Sequence, residues 1–419
     1  MKPKLTAERA RKIREMKMTT EETIAITKKY CANNYSPIPV TLERGEGVWL
    51  WDVEGKKYLD MMSCYSAVSL GHCDPEVVKT AINQVKKLAN VSRAYYTSSM
   101  AKFIWMLSEL CGKEKILPMN TGAEAVETAL KIARKWAYSD KKGILNNCAE
   151  LIVCSNNFHG RTITIVSFSS EFQYKNHFGP HTPGFRAIPF NSPEDLEDHI
   201  NTNTAAFLVE PIQGEAGIVI PNNGYLQTVR EICTRKNILL IADEIQTGFS
   251  RTGKLFACER EEVVPDIYIF GKALGGGVMP VSAVAANADI MDVIKPGDHG
   301  STFGGGALAS EVACASIERF VSGKYSEKAV ELGDYLMAEL KKIQSPRIKE
   351  IRGVGLFIGL ELTRESGGAR RYCEALAKEG VLSKETHDYV IRFAPPLIIT
   401  KEELNWALAR IKKVFAELS

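Results

Sequence analysis

Between about residues 75 and 300, short apolar runs keep returning: KILPMN, ELIVCS, AAFLVE, ILLIADE and DIYIFG, with helical or loop stretches between them. Each run is too short for a helix, and its hydrophobicity is continuous rather than alternating, the mark of a strand buried on both faces. Strands separated by helices need crossover connections. The pattern therefore predicts a largely parallel sheet covered on both sides, an α/β architecture.

The ends of the chain read differently. Residues 40–61 form short strands with turns, and Thr19 to Glu22 make a T-x-x-E capping box that opens a helix towards Cys31. After residue 310 a helix runs through Phe320, followed by RGVGLFIGLEL and further short elements. A second capping box at Thr400 and Glu403 precedes Leu404, Leu408, Ile411, Phe415 and Leu418 at helical spacing. With 419 residues, more than one core usually serves, the expected division is an N-terminal segment (1–55) packing with the small domain, a large α/β domain (56–310) and a smaller α+β domain (311–419).

Charge excludes some function classes. The 53 basic and 50 acidic side chains nearly cancel, so neither nucleic acid nor membrane is expected as a partner. Ten cysteines without a C-x-x-C pair read as reduced core residues, and no metal site is expected. The N-terminus, MKPKLTAERARKIREMK, is basic and helix-forming. It carries Glu8 and Glu15, no serine and no apolar core, which argues against a transit or signal peptide and for a cytoplasmic protein.

Three motifs bear on chemistry. Gly248 to Lys254 (GFSRTGK) has most of a P-loop, but Leu255 stands where the magnesium-binding hydroxyl belongs, so nucleotide hydrolysis is discounted. MNTGAEAVETALKIARKW places a small-residue turn between a strand and a helix with a buried stripe at Val126, Ala129, Leu130, Ala133 and Ala137. Such a junction suits a phosphate, and it equally suits an ordinary turn. Asp243 then stands at the end of ILLIAD, where open α/β sheets place ligands, and Lys272 ends the next strand in the chain. Alone, Asp243 reads equally as a helix cap. A desolvated lysine has a depressed pKa and can bond a carbonyl carbon. Together, the phosphate turn, the strand-end aspartate and the strand-end lysine describe a pyridoxal phosphate site.

In order along the chain, MNTGAEA, NNFHGRT, VEPIQGEAG, IADEIQTGFSRTGK, GKALGGG, HGSTFGG and IRFAPPL closely resemble the class III (ω-amino acid) aminotransferases. ANNYSPIPV, WDVEGKKYLDMMSCYSAVSLGH and LPMNTGAEAVETA resemble the branch of that class acting on the δ-amine of ornithine. The resemblance runs from about residue 25 to the end and leaves the first ~20 residues outside it, as a lineage-specific extension or expression scar. It implies the PLP-dependent transferase fold type I, with pyridoxal 5′-phosphate as cofactor.

Lys272 matches the lysine bonded to the cofactor, and Asp243 the partner of its ring nitrogen. Thr121, Gly122 and Ala123 match the phosphate turn, Phe158 and Ile245 the two ring faces, and Gln246 the ring hydroxyl contact. Glu210 matches a carboxylate beside the cofactor aspartate, and His159 is assigned to cofactor binding. Ser301 and Thr302 match hydroxyls reaching the phosphate from a partner subunit, implying a homodimer with shared sites. For substrate, Arg161 matches the guanidinium taking one carboxylate, Arg392 a second, Glu215 the glutamate covering Arg392, and Tyr35 and Tyr65 the tyrosines lining the pocket.

The implied reaction moves the δ-amine of L-ornithine to 2-oxoglutarate, giving glutamate and glutamate semialdehyde, which cyclises to pyrroline-5-carboxylate. The alternatives are an acetylornithine or other ω-amine transaminase, an amino-acid racemase on the same scaffold, or a non-catalytic cofactor-binding protein. Two departures bear on substrate preference: Gly306-Ala307 where the class usually has Asn-Pro, and SLGH at 69–72 where it has Asn-Gln-Gly-His.

Overall fold

A computed structural model describes residues 5–418. Residues 1–4 of the basic N-terminal stretch therefore lie outside the described residues; the helix expected there begins at Ala7, capped by Thr6, and runs to Glu15. The centre is a seven-stranded sheet in the order Lys115–Met119, Ser282–Ala286, Ile267–Phe270, Leu239–Asp243, Thr204–Val209, Glu150–Cys154, Phe185–Ile188. The five apolar runs are all in it. Sequence reading missed Phe185–Ile188, half exposed at the edge, and Ser282–Ala286, which is antiparallel to both of its neighbours.

Burial on both faces explains the unbroken hydrophobicity. Ile241, Ile267 and Ile269 point into one core with Val126, Ala129 and Ala133 of the helix Gly122–Ala137. Leu240, Ala242, Tyr268 and Phe270, alternating with them, point into the other. Leu239–Asp243 and Ile267–Phe270 thus feed two cores, and neither of their faces meets water.

Two four-stranded sheets flank this body. One joins Leu42–Glu46, Trp49–Asp52 and Lys57–Asp60 to Val381–Leu382, pairing early and late segments; the other holds Ile348–Val354, Phe357–Leu362, Val390–Phe393 and Lys384–Thr386. The helix Lys401–Glu417 has its capping box at Thr400 and Glu403, and buries Leu404, Leu408, Ile411 and Phe415. Glu403 also accepts from Trp49 Nε1 at 2.9 Å, so one cap fastens both ends of the chain. Of the ten cysteines, six are buried as expected, while Cys31, Cys64, Cys73 and Cys148 are exposed. Among the described residues no helix is long and apolar enough to cross a membrane, and no cluster could hold a metal.

Candidate active site

Lys115–Met119, Leu239–Asp243 and Ile267–Phe270 run in the same direction and finish at one sheet edge. Asp243 pairs with Ile269 in register, which brings Lys272 out just beyond the adjacent strand end. A cavity of about 210 Å³ opens there, lined by Gly122, Ala123, Phe158, His159, Glu210, Asp243, Ile245, Gln246 and Lys272. Nine expected cofactor residues thus converge on one cavity. Gly160, Ile212 and Thr247 line it as well and carried no separate sequence signal.

Lys272 has left-handed backbone, φ 44°, which a side chain with a Cβ adopts only under constraint. Burial lowers its ammonium below the ordinary value, against the upward pull of Glu215 and Asp243. After it, Gly276 and Gly277 also have positive φ, and a Cβ on Gly276 would stand 2.7 Å from Val77. Only glycine allows that turn.

Asp243 is buried and fully engaged. Its Oδ1 accepts from Ile245 N at 3.0 Å, and its Oδ2 lies 2.6 Å from His159 Nδ1. Burial works against a proton on His159, but the bond to Asp243 and its charge outweigh it and raise the imidazole above its ordinary value. His159 Nε2 is buried with no partner among the described residues. Glu210 accepts from Phe158 N at 3.0 Å and Gly214 N at 3.3 Å, and burial pushes it up to about 7.

Thr121 caps the helix Gly122–Ala137 in a capping box with Glu124, and Gly122 and Ala123, whose N–H groups are orphans of the first turn, line the cavity. Gly160 comes so close that a Cβ there would lie 2.8 Å from Ala123 Cβ, tucking the FHGRT loop against this terminus. An anion-accepting helix end, apolar Ile245 and Phe158, a shielded aspartate and a buried lysine with a lowered pKa fit a flat, phosphorylated pyridine aldehyde. The residues present suit pyridoxal phosphate.

None of the substrate candidates Tyr35, Tyr65, Arg161, Glu215 and Arg392 lines that cavity, although Glu215 and Arg392 lie near enough for their charges to act on Lys272. Arg392 is buried and ion-paired to Glu215, with its guanidinium 4.7 Å from the Tyr65 ring centre. Burial opposes the Glu215 charge, but Arg392 overrides it and keeps the carboxyl below its usual range. Tyr65 belongs to a left-handed turn in which Ser63, Cys64, Tyr65 and Ser66 all have positive φ. Left-handed backbone costs roughly 1–2 kcal/mol per non-glycine residue, so the fold holds this turn against its preference. Arg161 is exposed and stacks 3.6 Å from the Tyr174 ring centre, with no carboxylate partner among the described residues. Tyr35 is 75% exposed and outside the cavity lining, yet near enough to act on the Tyr65 phenol.

Ser301 and Thr302 are not in the Lys272 cavity. They line a second one, with Asn90 to Arg93, and Ser301 Oγ accepts from Asn120 Nδ2 at 2.9 Å.

The family model for Aminotransferase class-III matches residues 30–415. An ornithine aminotransferase from Geobacillus sp. (strain WCH70) is 55% identical over 397 residues, covering 95% of this chain and 99% of the relative. Among solved structures, an ornithine aminotransferase from Toxoplasma gondii, described with partial occupancy of PLP at its active site, superimposes with a TM-score of 0.96 at 43% identity, over 99% of this chain and 98% of its own. An acetylornithine aminotransferase from Elizabethkingia anophelis gives 0.87 at 47%, over 96% of this chain and all (100%) of its own. The strand-end lysine and aspartate, the helix-terminal anion site and this near full-length match agree: the chain belongs to the class-III aminotransferase family.

Proposed function

We propose that the chain transfers the δ-amino group of L-ornithine to 2-oxoglutarate, yielding glutamate and glutamate semialdehyde, which closes to pyrroline-5-carboxylate. One observation carries this reading. Arg392 is sealed by Glu215 while Arg161 has no carboxylate partner among the described residues, so one guanidinium or two are open to substrate according to where Glu215 lies. Ornithine has one carboxylate and 2-oxoglutarate has two.

Lys272 would hold pyridoxal 5′-phosphate through its aldehyde carbon, Asp243 would face the ring nitrogen, Phe158 and Ile245 its faces, Gln246 its hydroxyl, and Thr121 to Ala123 the phosphate. When bound, the cofactor supplies a carrier for the amino group and a sink for electrons. Asp243, held by His159 Nδ1 at 2.6 Å, would hold a proton at the ring nitrogen. Arg161 takes the ornithine α-carboxylate in a bidentate grip and leaves the δ-amine at Lys272. Lys272, whose ammonium burial holds below its ordinary value, removes the proton from substrate Cδ when its amine is free and returns one in the reverse sense during the second half-reaction. Tyr65 backs Arg392 once Glu215 has moved aside for the second carboxylate. Tyr35 closes over that end.

Ser301 and Thr302 open into a cavity without Lys272, so their matched contact with phosphate has to be made to another copy. That supports a homodimer with shared sites, for which we propose a cytoplasmic location. The assay is direct: incubate the protein with L-ornithine and 2-oxoglutarate and follow the o-aminobenzaldehyde adduct of pyrroline-5-carboxylate. Product from N-acetylornithine instead, or none despite bound-cofactor absorbance, overturns the substrate assignment.

A further inference from the structure

The GFSRTGK stretch, an incomplete P-loop by sequence, cradles no phosphate. Phe249, Ser250, Arg251 and Thr252 are all buried, and Phe249 and Ser250 have left-handed backbone at φ 55° and 69°. Arg251 is a fully buried cation with no carboxylate partner among the described residues. A guanidinium in that position must satisfy its donors elsewhere. Its Nη1 donates to Leu356 O at 2.9 Å and Pro395 O at 2.6 Å, and its Nη2 to Ser63 Oγ at 3.1 Å and Ser69 Oγ at 2.9 Å.

Two of those acceptors, Ser63 and Pro395, adjoin the side chains assigned to substrate, Tyr65 and Arg392. Ser63 opens the left-handed turn carrying Tyr65, and its hydroxyl in turn donates to Ala394 O at 2.7 Å. Pro395 directly follows Ala394, at the exit of the strand Val390–Phe393 that bears Arg392. Asp60 holds the same turn from its other side, with Oδ1 accepting from Met62 N at 2.8 Å and Ser63 N at 2.9 Å, while His72 steadies Oδ2 at 2.8 Å. The turn is strained by itself, so some fixed partner must keep it in place. Arg251 grips the turn and the arginine strand at once. A lysine, a point charge with one nitrogen, cannot span acceptors on both sides.

We propose that Arg251 is a positioning residue: without touching substrate, it holds the Tyr65 ring in register with Arg392 and so sets the affinity for the second carboxylate of the amino acceptor. This rests on the assignment of Arg392 to that carboxylate.

The two half-reactions of the cofactor-loaded enzyme separate this role from general support. Single-turnover rates with L-ornithine and with 2-oxoglutarate are compared for wild type, Arg251→Lys and the double variant Ser63→Ala/Ser69→Ala, alongside cofactor absorbance and melting temperature. Expected is a loss of 2-oxoglutarate affinity of about tenfold in Arg251→Lys, smaller in the serine variant, with the ornithine half-reaction within about threefold. Equal losses in both half-reactions, or none in either, overturn the inference. If Arg251→Lys fails to fold, the serine variant decides, because it keeps the guanidinium and its two carbonyl bonds. A wild type inert towards ornithine would instead overturn the substrate assignment, and the inference with it.

Discussion

Arg161 and Arg392 are the same side chain held in opposite states. Arg161 lies exposed on a loop, stacked on Tyr174 and free of any carboxylate among the described residues. Arg392 is 2% exposed on a strand, neutralised by Glu215 and backed by Tyr65. An open guanidinium binds a carboxylate without first losing a partner. A closed one must trade one carboxylate for another, so it adds specificity rather than raw affinity. On the proposed assignment, that contrast would let one pocket serve a monocarboxylate and a dicarboxylate in turn.

The largest expected effect removes the chemistry from both ends. Lys272→Ala should lower turnover by about 10⁴-fold while both substrates still bind, measured by product formation and by spectral titration of the loaded protein. Retained transamination would sink the mechanism. Next, Arg392→Gln should reduce kcat/KM for 2-oxoglutarate by roughly 10²–10³-fold and the ornithine half-reaction by much less. If ornithine suffers equally, the two arginines are not distinct. Arg161→Ala should weaken both half-reactions by about 10- to 100-fold, since every substrate presents a carboxylate to it. An effect on one substrate alone would break the comparison from the other side.

Glu215→Gln should leave Arg392 permanently open. Rapid kinetics should then show ornithine use falling by about tenfold and glutamate gaining as a donor. An unchanged donor ratio would show that the closed state is incidental. The smallest effect belongs to Glu210, which bonds Phe158 N on the Arg161 side and Gly214 N on the Glu215 side. Burial raises its carboxyl to about 7, so the folded state holds that proton more tightly than the unfolded chain. Its stabilising contribution is complete at pH below the ordinary carboxylate range and is lost as pH rises through about 7. Between pH 5 and 8 the wild-type Tm should fall about 2–4 °C further than that of Glu210→Gln, read by calorimetry. Equal slopes would place that proton elsewhere.

The cofactor end was legible because its residues sit where secondary structure stops. Asp243 and Lys272 close apolar runs, and Thr121 with Glu124 writes its cap in four letters. Local rules reach that far. Tyr65 was placed by resemblance alone, because four successive left-handed residues, none of them glycine, have no local signature. Ser282–Ala286 escaped for a related reason: nothing within a short buried run states its direction. Arg251 was misleading, sitting in a stretch that imitates a phosphate loop while its side chain turns inward.

By itself, then, the sequence determined which runs are buried on both faces, where helices are capped, and which acid and base stand at strand ends. All of these follow from neighbours a few residues apart, through side-chain period and capping. The cover of Glu215 over Arg392 was expected from resemblance and is formed in the fold, whereas tertiary structure alone decided that Arg161 stays open and that Arg251 ties residue 63 to residue 395. Those outcomes depend on desolvation and donor geometry between segments remote in the chain, where a charge's meaning is set by what surrounds it.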